Sequence, residues 1–477
     1  MKRELDDVKE AAARPFSSTK KAICLSSVIC CALQLTASSA RSDVLPSDPS
    51  PSWYAGTFSG QFRSVYQYQS LGSEKDSDLY EYFYMSDRDL LKKHLDFYVS
   101  GKLHKDLDGT TASLADDFYV GLEDSGKTTD NYLYQLYFDA HDKDRQFALR
   151  AGRQYIDVAD GLHIDGGLLS VFEKGRLGGR IFYGLPVSYY SSVSGDKAMG
   201  GSIICRPWTQ NDSRITYVRY HDDDRAVDDE RYSFTSWQKW NDEIRSFAQA
   251  AELNGDFESA GLDLSFAPTA SDFDCSIGVR RWGGVAGNSV VYSPLSQVLG
   301  ARAPYTYISA RASKGILPWL YVSPGVSARL LADGDKDANN RDYMHYDLTI
   351  VVEPSRAWNA SVAGEYWKVD QSDSFVGLSG EIMYRHQRVW ELSIGAGYYH
   401  YDYEQFSDFS GTINAGDVRY SSDGVVIESS PDSFSYFAQG KYNISRSVSL
   451  KVRGEIEDNS ELSERSFFCQ MVLLIRI

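Results

Sequence analysis

The sequence predicts an all-β protein, specifically a transmembrane antiparallel up-and-down β-barrel of about 16 to 18 strands behind an N-terminal signal peptide. Three observations carry this: long segments with a two-residue hydrophobic period, aromatic residues near the ends of those segments, and an export-like N-terminus. From Thr57 to Tyr68 the even positions read Phe58, Gly60, Phe62, Ser64, Tyr66 and Tyr68, and the odd ones Thr57, Ser59, Gln61, Arg63, Val65 and Gln67. A period of two is a strand with one wet face. The alternation returns at Leu95, Phe97, Val99, Gly101 and Leu103, set against Asp96, Tyr98, Ser100, Lys102 and His104.

Further along it appears at Phe147 to Ala151, Ala260 to Phe266, Leu320 to Leu330, Trp358 to Tyr366, Phe434 to Tyr442 and Val448 to Ile456. Runs of about ten residues exceed the ~5 to 6 of an ordinary globular strand and match the ~9 to 11 that a tilted strand needs to cross a bilayer. A soluble sandwich keeps its strands short over a core about 10 Å thick. Aromatic ends such as Phe58/Phe62 and Tyr366 suit two interfacial girdles, and backbone in hydrocarbon must be paired throughout, which demands a closed sheet. Terse connections (Asn443 to Arg446, Pro354 to Arg356) alternate with long polar ones (Asp222 to Arg231, Asp333 to Asp342, Glu404 to Asp432), as expected when the two rims face different compartments. At roughly 22 to 25 residues per strand and connection, the mature chain divides into the strand number given above.

At the N-terminus, Lys20 and Lys21 precede an apolar run from Ala22 to Ala37 and then Ser38-Ser39-Ala40. That is a signal peptide over residues 1–40 with a long n-region; an uncleaved anchor is the alternative, disfavoured because the run is shorter than the ~20 residues of a spanning helix. Residues 41–51 form a short lead and 52–477 a single barrel domain. The 33 Tyr, 22 Phe and 38 Gly fit strands and tight turns. Cys24, Cys30 and Cys31 fall in the export segment, leaving Cys205, Cys275 and Cys469, an odd and widely spaced set that is no disulfide framework. Residues 1–40 hold six basic and four acidic residues, so their removal takes the formal charge from −17 to −19. Such a charge argues against nucleic acid as a partner and, on its own, for mild cation preference.

Arg150-Ala151-Gly152-Arg153-Gln154-Tyr155, followed by Asp160-Gly161-Leu162, resembles the Gly-Arg-Gln strand of porin-like outer-membrane channels, including the alginate-export and basic-amino-acid-specific types. The resemblance covers a dozen residues and implies a porin-like channel without naming a solute. The last segment, Arg465 to Ile477, places Phe467, Cys469, Met471, Leu473, Ile475 and Ile477 in one register and looks like a signal to the outer-membrane assembly machinery, although it ends in Ile rather than Phe.

The function expected is therefore passive diffusion of small hydrophilic solutes or ions across a bacterial outer membrane, with lipid and lipopolysaccharide as the surroundings. Arg63, Lys102, Arg150 and Gln154 lie on wet registers and are candidate pore-lining residues. Asp157 to Gly167 can be read as a loop narrowing the pore, with Asp157, Asp160 and Asp165 opposing Arg150 or Arg180 across the opening; the simpler reading is that these charges are ordinary solvated lumen residues or wall salt bridges. Asp333, Asp335 and Asp337 alternate like a calcium loop, but Ala338 stands where glycine belongs and Met344 where the bidentate acid belongs, so a solvated exterior loop is the simpler reading. No cofactor is expected, and no nucleophile elbow, His-Glu-x-x-His or phosphate loop is present to suggest an enzyme. Two other readings stay open: a barrel acting as scaffold or sheath for a periplasmic electron-transfer or secretion partner, and a secreted all-β binding protein. Monomer and homo-oligomer are both compatible with the sequence.

Overall fold

A computed structural model describes residues 57–71, 74–107, 129–157, 162–187, 195–223, 225–285, 303–332, 341–370, 373–387, 389–407, 419–421, 424–429, 432–460 and 465–477. The expectations for residues 1–51, Asp160, and Asp333, Asp335 and Asp337 lie outside them. Within Ala55–Arg476 the chain runs β1 (Thr57–Leu71), β2 (Glu74–Asp89), a helical turn α1 (Leu90–Lys93), β3 (Leu95–Asp106), β4 (Thr129–His141), β5 (Phe147–Ile156), β6 (Leu162–Val171) and β7 (Leu177–Pro186). It continues through β8 (Lys197–Cys205), β9 (Asn211–Asp222), β10 (Val227–Lys239), β11 (Ile244–Leu253), β12 (Asp256–Phe266), β13 (Phe273–Trp282) and β14 (Tyr305–Leu317). Then follow β15 (Leu320–Leu331), β16 (Tyr343–Ser355), β17 (Trp358–Val369), β18 (Ser374–His386), β19 (Trp390–Ser407), β20 (Arg419–Ser421), β21 (Gly424–Ser429), β22 (Asp432–Asn443), β23 (Val448–Asn459) and β24 (Ser466–Arg476).

Each strand of the wall pairs antiparallel with the next, β19 pairs with β22, and β1 pairs with β24 from Gln61↔Arg476 to Leu71↔Ser466, which closes the sheet. β20 and β21 form a small hairpin that extends the end of β19 and stands outside the wall. The wall therefore has 22 strands, not 16 to 18. The expected number was too low because connections are shorter than assumed: the 420 residues from Thr57 to Arg476 allow about 19 per strand and connection. In particular, Asp222 to Arg231 is not a long loop, since β9 runs to Asp222 and β10 resumes at Val227.

Connections at the rim where β1 begins are never longer than six residues, as at 318–319 and 356–357. At the other rim they run to 22 residues between β3 and β4 and between β13 and β14, and 24 residues, β20 and β21 among them, separate β19 from β22. Here these are called the short-turn rim and the long-loop rim.

Register assigns the faces. Paired residues share a face, and the outward set includes Leu177, Ile181, Ile203, Ile215, Leu262, Leu264, Ile277, Val362, Leu378 and Ile394, with Leu177 65% and Ile394 62% exposed. So much exposed apolar area is tolerable only against hydrocarbon. The outward face ends in aromatics. Near the short-turn rim Trp358 meets Tyr384 at 4.7 Å and Tyr384 meets Trp390 at 5.2 Å. Toward the long-loop rim Tyr217 meets Tyr232 and Tyr398 meets Phe434, both at 4.9 Å. The inward face carries the polar partners: Arg63 beside Tyr82, Asp263 beside Gly278, Asp347 beside Gly325, Glu365 beside Gly377.

Candidate functional site: an inward-turned hairpin tip and a charged lumen wall

Local register shifts mark β3–β4, β11–β12, β14–β15 and β16–β17, and a larger departure from the wall lies at β5 and β6. β4 and β5 stay paired only from His141↔Ala148 to Leu136↔Arg153, where Gly152 adopts φ +128°. At that φ a side chain is strained, and a Cβ on Gly152 would come within 2.2 Å of the Leu136 carbonyl oxygen, so the backbone can turn here only as glycine. Beyond Gly152 the strand leaves β4. The carbonyls of Leu133 and Tyr134 that β5 no longer meets are taken instead by side chains: Arg153 Nη1 donates to Leu133 at 3.3 Å, and His163 Nε2 lies 2.6 Å from Tyr134 O.

The tip turns into the lumen. Arg180 of β7 is level with Ser170 and hence with Ala148, nine residues before Asp157, which is about 30 Å along a straight strand. Yet Arg180 Nη1 donates to Asp157 Oδ1 at 2.6 Å, and Arg214 Nη1 lies 3.7 Å from Asp157 Oδ2. Both arginines share the inward register with Ser202 and Ile204. A β5 that continued the wall could not make these contacts. Gln154, Ile156 and Ile164 of the hairpin are fully buried, and Ile156 and Ile164 pack with Leu168, Phe182, Ala198, Val218 and Tyr220 of the inner wall. An apolar cluster on the inner face of a barrel needs something over it, and the hairpin supplies the cover.

The expected narrowing loop, Asp157 to Gly167, is thus corrected in part. Leu162 to Gly167 is strand, with only 157–161 connecting it to β5. Asp165 opposes neither Arg150 nor Arg180: Arg153 Nε and Nη2 grip it in a fork at 2.8 and 2.7 Å, and a guanidinium so placed makes a strong bidentate pair. Arg153 was missed as a site residue because the wet-register argument places it on the outer face; the signal that could have found it is Gly152 immediately before it.

Under the hairpin a cavity of about 440 Å³ is lined by Arg88, Tyr98, Arg145, Arg150, Lys174 and Arg180 together with Asp139, Asp157 and Glu173. Arg150 Nη2 donates to Asp139 at 2.9 Å and its guanidinium lies 4.5 Å from the Tyr137 ring centre. Arg145 Nη2 donates to buried Asp96 at 2.6 Å. Arg180 also donates through Nε to Glu173. Burial pushes the Asp157 carboxyl up, but the hydrogen bond and charge of Arg180, with Arg214, outweigh it and hold the group below the usual carboxylate range. Glu173 is likewise lowered: burial raises it, and hydrogen bonds from Arg180 and Ser170 outweigh that. Cations outnumber acids five to three, and neither Arg88 nor Lys174 has a carboxylate partner within 4.0 Å among the described residues.

The remaining candidates take separate places. Arg63 lies over Tyr82 at 5.6 Å, and Lys102, largely buried, lies 4.7 Å from the Tyr80 ring centre and 5.6 Å from Tyr132. Gln154 donates to Gly166 O at 3.1 Å beneath the hairpin. Cys205, Cys275 and Cys469 are free thiols.

A closed antiparallel wall, apolar and aromatic outside and polar within, defines an outer-membrane β-barrel of porin-like build. No protein-family profile matches the sequence, and no curated protein matches it. Among solved structures it is similar to OpdQ of Pseudomonas aeruginosa, 8% identical, covering 89% of this chain and 99% of that one with a TM-score of 0.41. It is similar also to OccAB4 of Acinetobacter baumannii (8% identical, 89% and 99% covered, TM-score 0.43) and to OccK1 (OpdK) of P. aeruginosa (9%, 89% and 98%, 0.39). Likeness at this level carries no argument about solute or mechanism.

Proposed function

We propose that the chain is an outer-membrane channel for passive diffusion of small hydrophilic solutes or ions, sieved where the β5–β6 tip meets the inner wall. The observation that carries this is the anchoring of Asp157 to Arg180 and Arg214 inside a wall of 22 strands. Barrel diameter grows with strand number, so a wall this wide needs an inward element to discriminate among solutes. Arg63, Arg150 and Arg180 line the path from the wall, with Lys102 largely buried between Tyr80 and Tyr132; Asp157 and Gln154 belong to the inserted hairpin. The short-turn rim faces the periplasm and the long-loop rim faces lipopolysaccharide and the exterior.

Only charges near the constriction filter ions. Because cations predominate there, the proposed selectivity is for anions, the reverse of what net charge alone suggests. Planar-bilayer conductance of the refolded chain, with the reversal potential read across a salt gradient, tests this. Discrete current steps are expected; a barrel that inserts and passes no current refutes the channel.

A further inference from the structure

On the side of the lumen away from the hairpin, aromatic rings recur from β13 to β19, interrupted at β15, where Arg329 fills the step. Trp282 of β13 stacks near Tyr305 of β14 at 6.2 Å, and Arg329 of β15 covers Tyr305 at 4.4 Å. Tyr343 of β16 is paired in register with Arg329 and meets Trp367 of β17 at 5.0 Å; Trp367 pairs with Phe375 of β18, which meets Tyr401 of β19 at 4.7 Å. All share the inward register with Asp347 and Glu365, while Met344, Tyr366 and Val376 take the outward one. Six inter-strand steps make a band about 29 Å long, near the long-loop rim. Tyr305, Tyr343, Trp367 and Phe375 are half-buried, so each keeps part of its ring exposed even with Arg329 over Tyr305 and His345 on Trp367.

Planar polar groups stand beside the rings. Glu365 accepts the Trp367 indole N–H at 3.0 Å and lies 3.4 Å from His345 Nε2, and His345 stacks on Trp367 at 4.1 Å. Asp347 accepts from Arg311, a largely exposed guanidinium, at 2.9 Å. We infer that this band binds oligosaccharides of pyranose sugars, guiding them along the wall toward the constriction; the inference rests on the channel reading and names its solute class. Three considerations select the ligand. A free aromatic acid would meet Asp347 and Glu365 as like charges. A cation would find the Tyr305 face already covered by Arg329. A pyranose instead presents polarised C–H groups to ring faces and hydroxyls that donate to carboxylates and accept from guanidinium, matching both kinds of group at once. Platforms one strand apart, about 4.8 Å, recur at close to the length of one sugar residue.

The test is current block of the full chain in planar bilayers by malto-, cello- and mannohexaose, each measured relative to the variant's own sugar-free current. At least one sugar is expected to block saturably at millimolar concentration, with the half-block concentration raised tenfold or more by Trp367→Ala and little by Trp367→Phe, which retains a ring. A conducting channel that no sugar blocks saturably, or whose block is the same in Trp367→Ala, overturns the inference and leaves the channel intact. If the inserted barrel passes no current, the channel reading falls, and tryptophan emission in detergent decides the sugar site. A saturable sugar-induced change that is lost in Tyr343→Ala upholds it, and no change overturns it.

Discussion

At the scale of single residues, Asp157 is the side chain on which the lumen geometry turns, because among the described residues it alone ties the hairpin tip to two arginines of the wall. Its carboxyl is held below the usual range, so the pair's contribution is fully present above the ordinary carboxylate pKa and is lost as pH falls through the lowered one. Conductance should accordingly be flat from pH 7 to about 5 and change only below about pH 4. Asp157→Asn should show at pH 7 the larger conductance that the parent reaches only in acid. A pH profile unchanged between the two would mean that Arg180 and Arg214 do not restrain the tip. Gly152→Val poses a different test. It adds about 1–3 kcal/mol of backbone strain, and its Cβ has no room beside Leu136 O, so a lowered urea midpoint together with a larger conductance is expected.

At the scale of elements, strands were legible in the sequence and the hairpin's direction was not. Leu95, Val99 and Leu103 against Asp96, Lys102 and His104 announced both the strand and its faces, because one face meets lipid and the other water, and nothing else sets that alternation. The strand count escaped because turn length is not written in hydrophobic period: β9 and β10 were hidden by the acidic run Asp222, Asp223, Asp228, Asp229, which reads as loop yet is mostly paired strand. Asp165 was placed in a loop for the same reason, and its partner Arg153 was invisible because the register rule assumes that a strand never leaves the wall. Closure makes a further prediction at this scale. β24 pairs with both β1 and β23, so deleting 466–477 leaves two strand edges without partners. The shortened chain should lose the heat-modifiable migration on gels that marks a folded barrel; retention of it would mean that the wall closes without β24.

At the scale of the whole molecule, total charge and charge at the constriction have opposite sign, and the two make opposite forecasts. The chain carries −17, but ions beyond a Debye length of about 8 Å are screened at physiological salt, so acids on the rims and loops act weakly on an ion in the lumen. Within the cavity Asp139 answers Arg150, Asp157 and Glu173 both answer Arg180, and Arg145 is answered by Asp96 beside it, whereas among the described residues Arg88 and Lys174 have no such carboxylate neighbour and supply the surplus. Across a tenfold potassium chloride gradient the parent channel should therefore reverse at the anion-selective sign. Replacing Arg88 and Lys174 together with alanine should carry the reversal potential to zero or past it. The same double replacement at 1 M salt, where screening shortens to about 3 Å, should differ much less from the parent, because the surplus charge then acts only on ions almost in contact with it. A cation-selective parent would place the filter elsewhere in the wall, and the acids of β16 and β17, Asp347 and Glu365, would be the first residues to exchange.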